Sequence, residues 1–116
     1  MRAVPCWDKY FLNIAEAVAA RSKDPRTQVG AVIVSPDNRI LGTGYNGMVP
    51  GEAENDKTWS PEHKYVRVIH AEMNAILHAT KEVRGATLYV TLTPCPECSK
   101  LIKAAGIARV VVKPSE

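Results

Sequence analysis

The chain of 116 residues is long enough for one compact domain, spanning residues 1–116, and leaves no room for a second. Its hydrophobic fraction of 46% and charged fraction of 23% are ordinary for a globular protein, and no run approaches the roughly 18 apolar residues that a membrane-spanning helix needs. The formal net charge of +3 suits an anionic substrate, but no block of lysine and arginine suggests a nucleic-acid-binding arm. Because the N-terminus also lacks a hydrophobic stretch of signal-peptide type, we expect a cytoplasmic protein without membrane partners.

The first part of the chain predicts a helix followed by a hairpin. Apolar residues recur at helical spacing between Trp7 and Ser22 and make one apolar stripe. Residues 29–35, VGAVIVS, form a β-branched run of the kind found in central strands. A Pro-Asp-Asn turn at 36–38 leads into a second strand over 39–44, which we expect to pair with the first.

The second part predicts two helices and two strands after a long loop. Residues 44–66 are punctuated by glycine and proline, and loops of about twenty residues are usually functional or mobile. A helix is expected from His70 to before Gly85, a strand over 86–92, a helix opening at 94–98 and ending at Gly106, and a strand over 108–112. The last β-α-β unit should be parallel. We therefore predict an α/β protein of three α-β-α layers, whose mixed central sheet has an initial hairpin followed by the parallel β-α-β unit.

Three possible zinc ligands stand at two predicted helix starts. His70 opens one helix, and Cys95 and Cys98 belong to the Pro-Cys-Pro-Glu-Cys segment that opens the other. Two thiolates and one imidazole leave a fourth position for water, as catalytic zinc sites do, and the helix N-termini are expected to stabilise the thiolates. Glu72 follows His70 by two residues, so it is expected to face the same water without being a ligand and to act as the proton carrier.

Two other interpretations of the Cys-x-x-Cys pair remain open. It could be a redox pair, or a structural zinc site closed by His63, His78 or Cys6. The redox interpretation leaves the His-x-Glu motif unexplained, and the structural interpretation leaves Glu72 unexplained. H-x-E together with P-C-x-x-C is the signature of zinc deaminases that act on nucleobases. We predict a hydrolytic deaminase with Glu72 as the catalytic residue.

Four segments of the chain resemble the deoxycytidylate (dCMP) deaminase group of the cytidine deaminase-like superfamily. They are RSKDP at 21–25 leading into VGAVIV at 29–34, GYNGM at 44–48, HAEMNAI at 70–76 and YVTLTPCPEC at 89–98. The zinc motif alone also fits deaminases of tRNA adenosine, guanine, cytosine and riboflavin precursors. Histidine at the first ligand position argues against the free cytidine deaminases, which have cysteine there, and HAEMNAI with GYNG narrows the resemblance to the dCMP group.

The resemblance implies hydrolysis of dCMP to dUMP and ammonia, which supplies the route to thymidylate. It assigns Asn46 to the deoxyribose or base, the backbone of Ala71 to the base and Arg26 to the 5′-phosphate. A role for Asn46 in the turn alone remains open, as does a solvated surface charge for Arg26.

The resemblance also implies assembly and regulation. Members of this group are commonly homohexamers that are activated by dCTP and inhibited by dTTP, each bound with magnesium mainly through its phosphates. Candidate effector-site residues lie around the glycine loop and the first helix–strand loop: Lys23, Asp24, Tyr45, Gly47, Tyr65 and Arg67.

The chain departs from some members of the group in two ways. Larger members continue after the fourth strand with a tyrosine-bearing loop over the substrate phosphate, whereas this sequence ends at Glu116. Some members carry a second, structural zinc in the long loop, where this chain offers only His63, so we predict one zinc.

Two alternative functions remain. One is deamination of another base, such as adenosine in tRNA or guanine. A tRNA substrate calls for a basic stripe on the protein surface, and the modest net charge argues against such a stripe, so we expect no nucleic-acid partner. The other is a catalytically silent zinc-binding module, against which the carboxylate of Glu72 argues.

Overall fold

The computed structural model describes residues 1–115, so the predicted domain end at Glu116 lies outside the described residues. In chain order the elements are α1 (Trp7–Ala19), β1 (Gly30–Val34), β2 (Ile40–Tyr45), β3 (Gly47–Met48), α2 (Pro61–Lys64), β4 (Val68–Ile69), α3 (Ala71–Leu77), β5 (Thr87–Val90), α4 (Pro96–Ala104) and β6 (Arg109–Val112). None of the helices in this part of the chain is both long enough and apolar enough to cross a bilayer.

The main sheet has four strands in the order β2–β1–β5–β6. β1 runs antiparallel to β2 and to β5, so that Ala31 lies between Gly44 and Val90. β5 and β6 are parallel and are connected through α4, with Leu88 opposite Val110. The predicted mixed sheet, with a hairpin first and a parallel β-α-β unit last, is confirmed.

Helices cover both faces of this sheet. All five residues of β1 are buried, because alternate side chains of the strand meet opposite helix layers. Val32 and Val34 pack with Phe11 and Ala15 of α1. The other face carries the larger core, formed with α3, α4 and the connection between α3 and β5: Ala31, Ile33, Leu41, Ala71, Ala75, Val83, Ala86, Leu88, Val90 and Ile102. The predicted three-layer α-β-α arrangement is confirmed.

Two glycines of β2 bring α3 unusually close to the sheet. A Cβ atom at Gly44 would lie 2.4 Å from the carbonyl oxygen of Ala71 and 2.4 Å from the nitrogen of Ala75. A Cβ at Gly42 would lie 2.6 Å from the carbonyl oxygen of Ala75. Real side chains do not tolerate such distances, so the glycines set how closely the helix that carries Glu72 approaches the sheet.

Several element ends differ from the predictions. α1 ends at Ala19 rather than Ser22, and the hydroxyl of Ser22 donates to the carbonyl of Asn46 at 2.7 Å. α3 ends at Leu77, well before Gly85, and the main chain of Thr80 bonds to the carbonyl of Leu41 instead of continuing the helix. The region predicted as a loop contains β3, α2 and the neighbouring β4, all too short for periodicity to reveal them.

Candidate metal centre and active site

The three predicted metal ligands converge where α3 and α4 begin. His70 is the N-cap residue of α3 and Cys95 is the N-cap residue of α4, both in extended backbone conformation, and Cys98 lies in the first turn of α4. Nδ1 of His70 is 3.0 Å from Sγ of Cys98 and 3.6 Å from Sγ of Cys95. All three donor atoms lie within 4.8 Å of one another.

This donor set fits a zinc ion. Tetrahedral zinc with bonds of about 2.0–2.3 Å places neighbouring donor atoms about 3.5 Å apart, close to the two distances measured from the imidazole. His63, His78 and Cys6 are not part of any such group within residues 1–115. A structural site closed by a fourth ligand from these three residues therefore finds no support.

The two cysteine sulfurs have different surroundings at the start of α4. Sγ of Cys95 accepts the backbone N–H of Cys98 at 3.4 Å, a typical N-cap contact. Burial and the neighbouring charge of Glu72 raise the pKa of the Cys98 thiol. A cation seated among the three donors therefore displaces a proton from Cys98.

Glu72 lies in the first turn of α3, two residues past His70. Its side chain is buried, at 4% exposure, yet it lines the same cleft as the imidazole. Burial raises the pKa of this carboxyl group, and its own backbone N–H, His70 and Cys98 oppose that effect only in part. A buried carboxyl group whose pKa is raised is suited to exchanging protons near neutral pH.

A cleft of about 470 Å³ opens over the candidate metal centre. Ala71 and Asn46, two of the predicted substrate residues, line it together with His70, Glu72 and Cys95. The third, Arg26, is exposed and does not belong to the described lining. The structure thus brings together the metal ligands, the carboxylate and two of the three predicted substrate contacts.

Sequence reasoning missed Lys64 as a cleft residue. Among residues 1–115 it is the one lysine or arginine in the lining. Its ammonium donates to the carboxylate of Asp24 at 2.8 Å, across 40 residues of sequence, so no local spacing could have revealed it. Thr93 was also missed, although it directly precedes the Pro-Cys-Pro-Glu-Cys segment and could have been found from that motif.

Asn46 is held by the loop before β1. Its Oδ1 accepts the backbone N–H of Val29 at 2.8 Å, and its Nδ2 donates to the carbonyl of Thr27 at 2.8 Å and to Asp24 at 3.4 Å. An amide has two N–H donors and two acceptor lone pairs. Both N–H donors are engaged, and one lone pair of Oδ1 is left to accept a hydrogen bond from a ligand.

Asp24 is an anchor in the cleft wall. Burial raises the pKa of its carboxyl group, but the ammonium of Lys64 and the backbone N–H groups of Arg26 and Thr27 outweigh burial, and the net pKa lies below its ordinary value. Asp24 is therefore an ionised, buried group with four donors around it.

Five of the six candidate effector residues are divided between two cavities. Lys23, Tyr45 and Gly47 line a second hollow of about 240 Å³. Asp24 and Tyr65 line the cleft instead. The sixth, Arg67, belongs to neither described lining, but its guanidinium lies 3.5 Å from the carboxylate of Glu52, which borders the second hollow.

Residues 5–113 match the family model described as the cytidine and deoxycytidylate deaminase zinc-binding region. The deoxycytidylate deaminase of Homo sapiens is 46% identical over 112 residues, covering 90% of this chain and 63% of that protein. The deoxycytidylate deaminase of Mycobacterium phage D29 is 46% identical over 121 residues, covering 92% of this chain and 94% of that protein. The chain thus spans less than two thirds of the length of the human relative.

Solved structures give the same comparison in three dimensions. The dCMP deaminase of cyanophage S-TIM5 in complex with dCMP and dUMP superposes with a TM-score of 0.79 at 30% identity, covering 96% of this chain and 83% of that chain. The cytidine deaminase of Mycobacterium tuberculosis superposes with a TM-score of 0.64 at 20% identity, covering 96% of this chain and 86% of that chain, and shows the shared fold alone.

Proposed function

The chain belongs to the cytidine and deoxycytidylate deaminase family, and from that premise we propose that it is a zinc-dependent hydrolase that converts dCMP and water to dUMP and ammonia. One observation carries the proposal: the donor atoms of His70, Cys95 and Cys98 lie within 4.8 Å of one another, and His70 and Cys95 line the same cleft as Glu72, a buried carboxylate that the metal does not need as a ligand. The similarity to dCMP deaminases of animals and phages supports the choice of base and sugar.

The proton transfers fall to Glu72. A zinc ion held by the three ligands supplies the Lewis acidity that makes water a nucleophile near neutral pH. Glu72 takes a proton from the water that attacks C4 of cytosine and delivers it to the ring nitrogen N3. The same carboxylate then takes the proton of the new hydroxyl group on C4 and passes it to the departing amine, so that the C4–N bond breaks, ammonia leaves and the C4 carbonyl of dUMP remains.

Three residues are proposed to orient the nucleotide. The main chain of Ala71, which lines the cleft beside Glu72, contacts the base. The remaining lone pair on Oδ1 of Asn46 accepts a hydrogen bond from the deoxyribose or base. Arg26 receives the 5′-phosphate with its exposed side chain, one residue from Thr27 in the cleft wall.

Regulation by dCTP and dTTP with magnesium is proposed for the second hollow. Two pairs of neighbours in sequence support this placement. Lys23 lines the hollow and Asp24 lines the cleft, and in the same way Tyr45 lines the hollow and Asn46 lines the cleft. The two cavities thus share a wall, and a ligand that moves one side of it also moves the other. Assembly as a homohexamer and a cytoplasmic location complete the proposal.

Side-by-side assays test the proposed substrate. Zinc-loaded protein is mixed with dCMP, cytidine, dCTP and an RNA hairpin, and ultraviolet absorbance and ammonia release are followed. We expect dCMP to be deaminated fastest. Turnover of the RNA hairpin without turnover of dCMP would overturn the substrate assignment.

The variant Glu72→Gln tests the proposed mechanism. It should retain stoichiometric zinc but lose about 10²–10⁴-fold in kcat, because the amide cannot carry the proton. If wild-type protein deaminates none of the four substrates, and Glu72→Gln changes neither zinc content nor dCMP binding, the chain is a silent zinc-binding module.

A further inference from the structure

Asn74 joins two parts of the active site without lining the cleft. It lies on α3, one turn after His70, and its side chain is half-buried. Its Nδ2 donates to the carbonyl of Tyr45 at 2.9 Å and to the carbonyl of Ile69 at 3.4 Å. Tyr45 directly precedes Asn46, and Ile69 directly precedes His70. One amide group therefore connects the residue before a proposed substrate contact to the residue before a metal ligand.

The carbonyl of Tyr45 depends on this donor because it receives none from the neighbouring strand. Tyr45 lies opposite Gly30 in the β1–β2 pair. The N–H and the carbonyl of Gly30 are both engaged with Thr91 on the other side, at 3.1 Å each. Opposite residues in an antiparallel pair that do not exchange hydrogen bonds direct their polar groups away from each other. The carbonyl of Tyr45 thus points to the open edge of β2, where Asn74 meets it.

Packing against the same strand keeps α3 close but leaves its position along β2 to be set by polar contacts. Gly44 lets the main chain of Ala71 and Ala75 touch the strand. Because glycine has no side chain to interdigitate with the helix, this contact limits the distance between α3 and β2 more than it limits sliding of α3 along the strand. The amide of Asn74 adds a directional contact at the end of α3 where His70 and Glu72 are located.

We propose that Asn74 is a positioning residue that sets the spacing between the metal ligand His70 and the Asn46 segment of the cleft. It acts through the main chain at positions 45 and 69 and touches neither the metal nor the nucleotide. The part of this proposal that concerns substrate rests on the proposed deaminase function, whereas the part that concerns metal binding does not.

The isosteric variant Asn74→Asp tests the proposal, because it replaces both N–H donors by an acceptor that faces two carbonyl oxygens. We expect zinc affinity, measured by competition with a chromogenic chelator, to fall about tenfold, as for other residues that orient a metal ligand. We expect kcat for dCMP to fall about tenfold or more and KM to rise, because the nucleotide is displaced from the metal centre.

Thr80→Val is the matched control. The hydroxyl of Thr80 donates to the carbonyl of Leu41 at 3.3 Å, so it also ties the region around α3 to β2, but away from the metal ligands. This variant should lower thermal stability without changing zinc affinity, kcat or KM. If Asn74→Asp behaves in the same way, Asn74 has only a structural role and the proposal is wrong.

The experiment also distinguishes two other results, a variant that does not fold and a wild-type protein that has no deaminase activity. If Asn74→Asp does not fold, Asn74→Ser, which keeps one shorter donor, is compared with Thr80→Val by the same measurements and must show weaker zinc binding for the proposal to stand. If wild-type protein binds zinc but deaminates no substrate, the proposed function fails, and the zinc affinities of the variants alone decide the role of Asn74.

Discussion

On one side of the cleft, regular elements hold the three candidate metal ligands through main-chain packing, whereas on the other side charged side chains hold the loop between β3 and β4 in place. The first side is the start of α3 and of α4, with α3 seated on the glycines of β2. The second side includes this β3–β4 loop (residues 49–67), which is attached to the segment before β1 by Lys64 with Asp24 and by Lys23 with Glu54. The candidate metal centre is thus located by the core, and the other side of the cleft depends on individual side chains.

This difference predicts that changes at the metal centre have the largest effect on activity. Cys98→Ser should lose stoichiometric zinc and reduce dCMP turnover to background, because an alcohol replaces one of the two sulfur ligands. The matched variant Cys6→Ser should keep both, since Cys6 is exposed and distant from the donor group. Metal content by atomic absorption and the dCMP assay measure the two effects. Equal zinc content in the two variants would contradict the assignment of Cys98 as a ligand.

Substitutions that disturb the main-chain packing of α3 against β2 should have the next largest effect. Gly44→Ala is expected to destabilise the fold by about 2–4 kcal/mol, because the new methyl group would lie 2.4 Å from main-chain atoms of Ala71 and Ala75. Gly47→Ala is the control for stability, since its Cβ would have no neighbour nearer than 3.6 Å. Urea denaturation of both variants gives the free energies of unfolding. Indistinguishable values would show that α3 shifts at little cost, and that the core does not locate the centre as tightly as described.

Substitutions on the loop side of the cleft should have smaller effects on stability. The size of each effect should follow the burial of the ion pair that is removed. Lys64→Met is expected to cost about 1–3 kcal/mol, because it removes one donor from the buried carboxylate of Asp24. Lys23→Met should cost less than about 1 kcal/mol, because Lys23 pairs with Glu54 in an exposed contact. Urea denaturation compares the two loop attachments directly. A larger loss for Lys23→Met would reverse the ranking of these attachments.

The smallest expected effect is a pH dependence from Asp24. Its pKa in the folded protein lies below the ordinary value of 3.8, so its contribution to stability is present above that value and is lost as the pH falls through the folded pKa. Wild-type protein should therefore lose more stability between pH 5 and pH 3 than Asp24→Asn, in which this group does not titrate. Urea midpoints at both pH values measure the difference. A parallel decline in the two proteins would mean that other carboxylates account for the acid sensitivity.

Short-range patterns in the sequence were sufficient to predict the three donor residues that the structure brings together. His70 and Glu72 are two residues apart, and Cys95 and Cys98 are three apart, each pair at a helix start. The local backbone of a helix N-terminus determines the directions of these side chains, so the motif alone predicts how they are placed relative to one another. The four strands of the main sheet, the hairpin of β1 with β2 and the parallel pairing of β5 with β6 followed from β-branched runs and from the β-α-β pattern, whereas the antiparallel pairing of β1 with β5 did not.

Only the tertiary structure decided what surrounds that centre. It paired Lys64 with Asp24 across 40 residues, engaged the amide of Asn46 with the loop before β1, and left Arg26 outside the cleft lining. It also placed five of the six candidate effector residues in the linings of two cavities, with the consecutive residues Lys23 and Asp24 in different ones. The physical reason is that these contacts join side chains distant in sequence, whose meeting depends on the packing of the whole sheet and its helices, whereas ligands at a helix start are placed by the few residues around them.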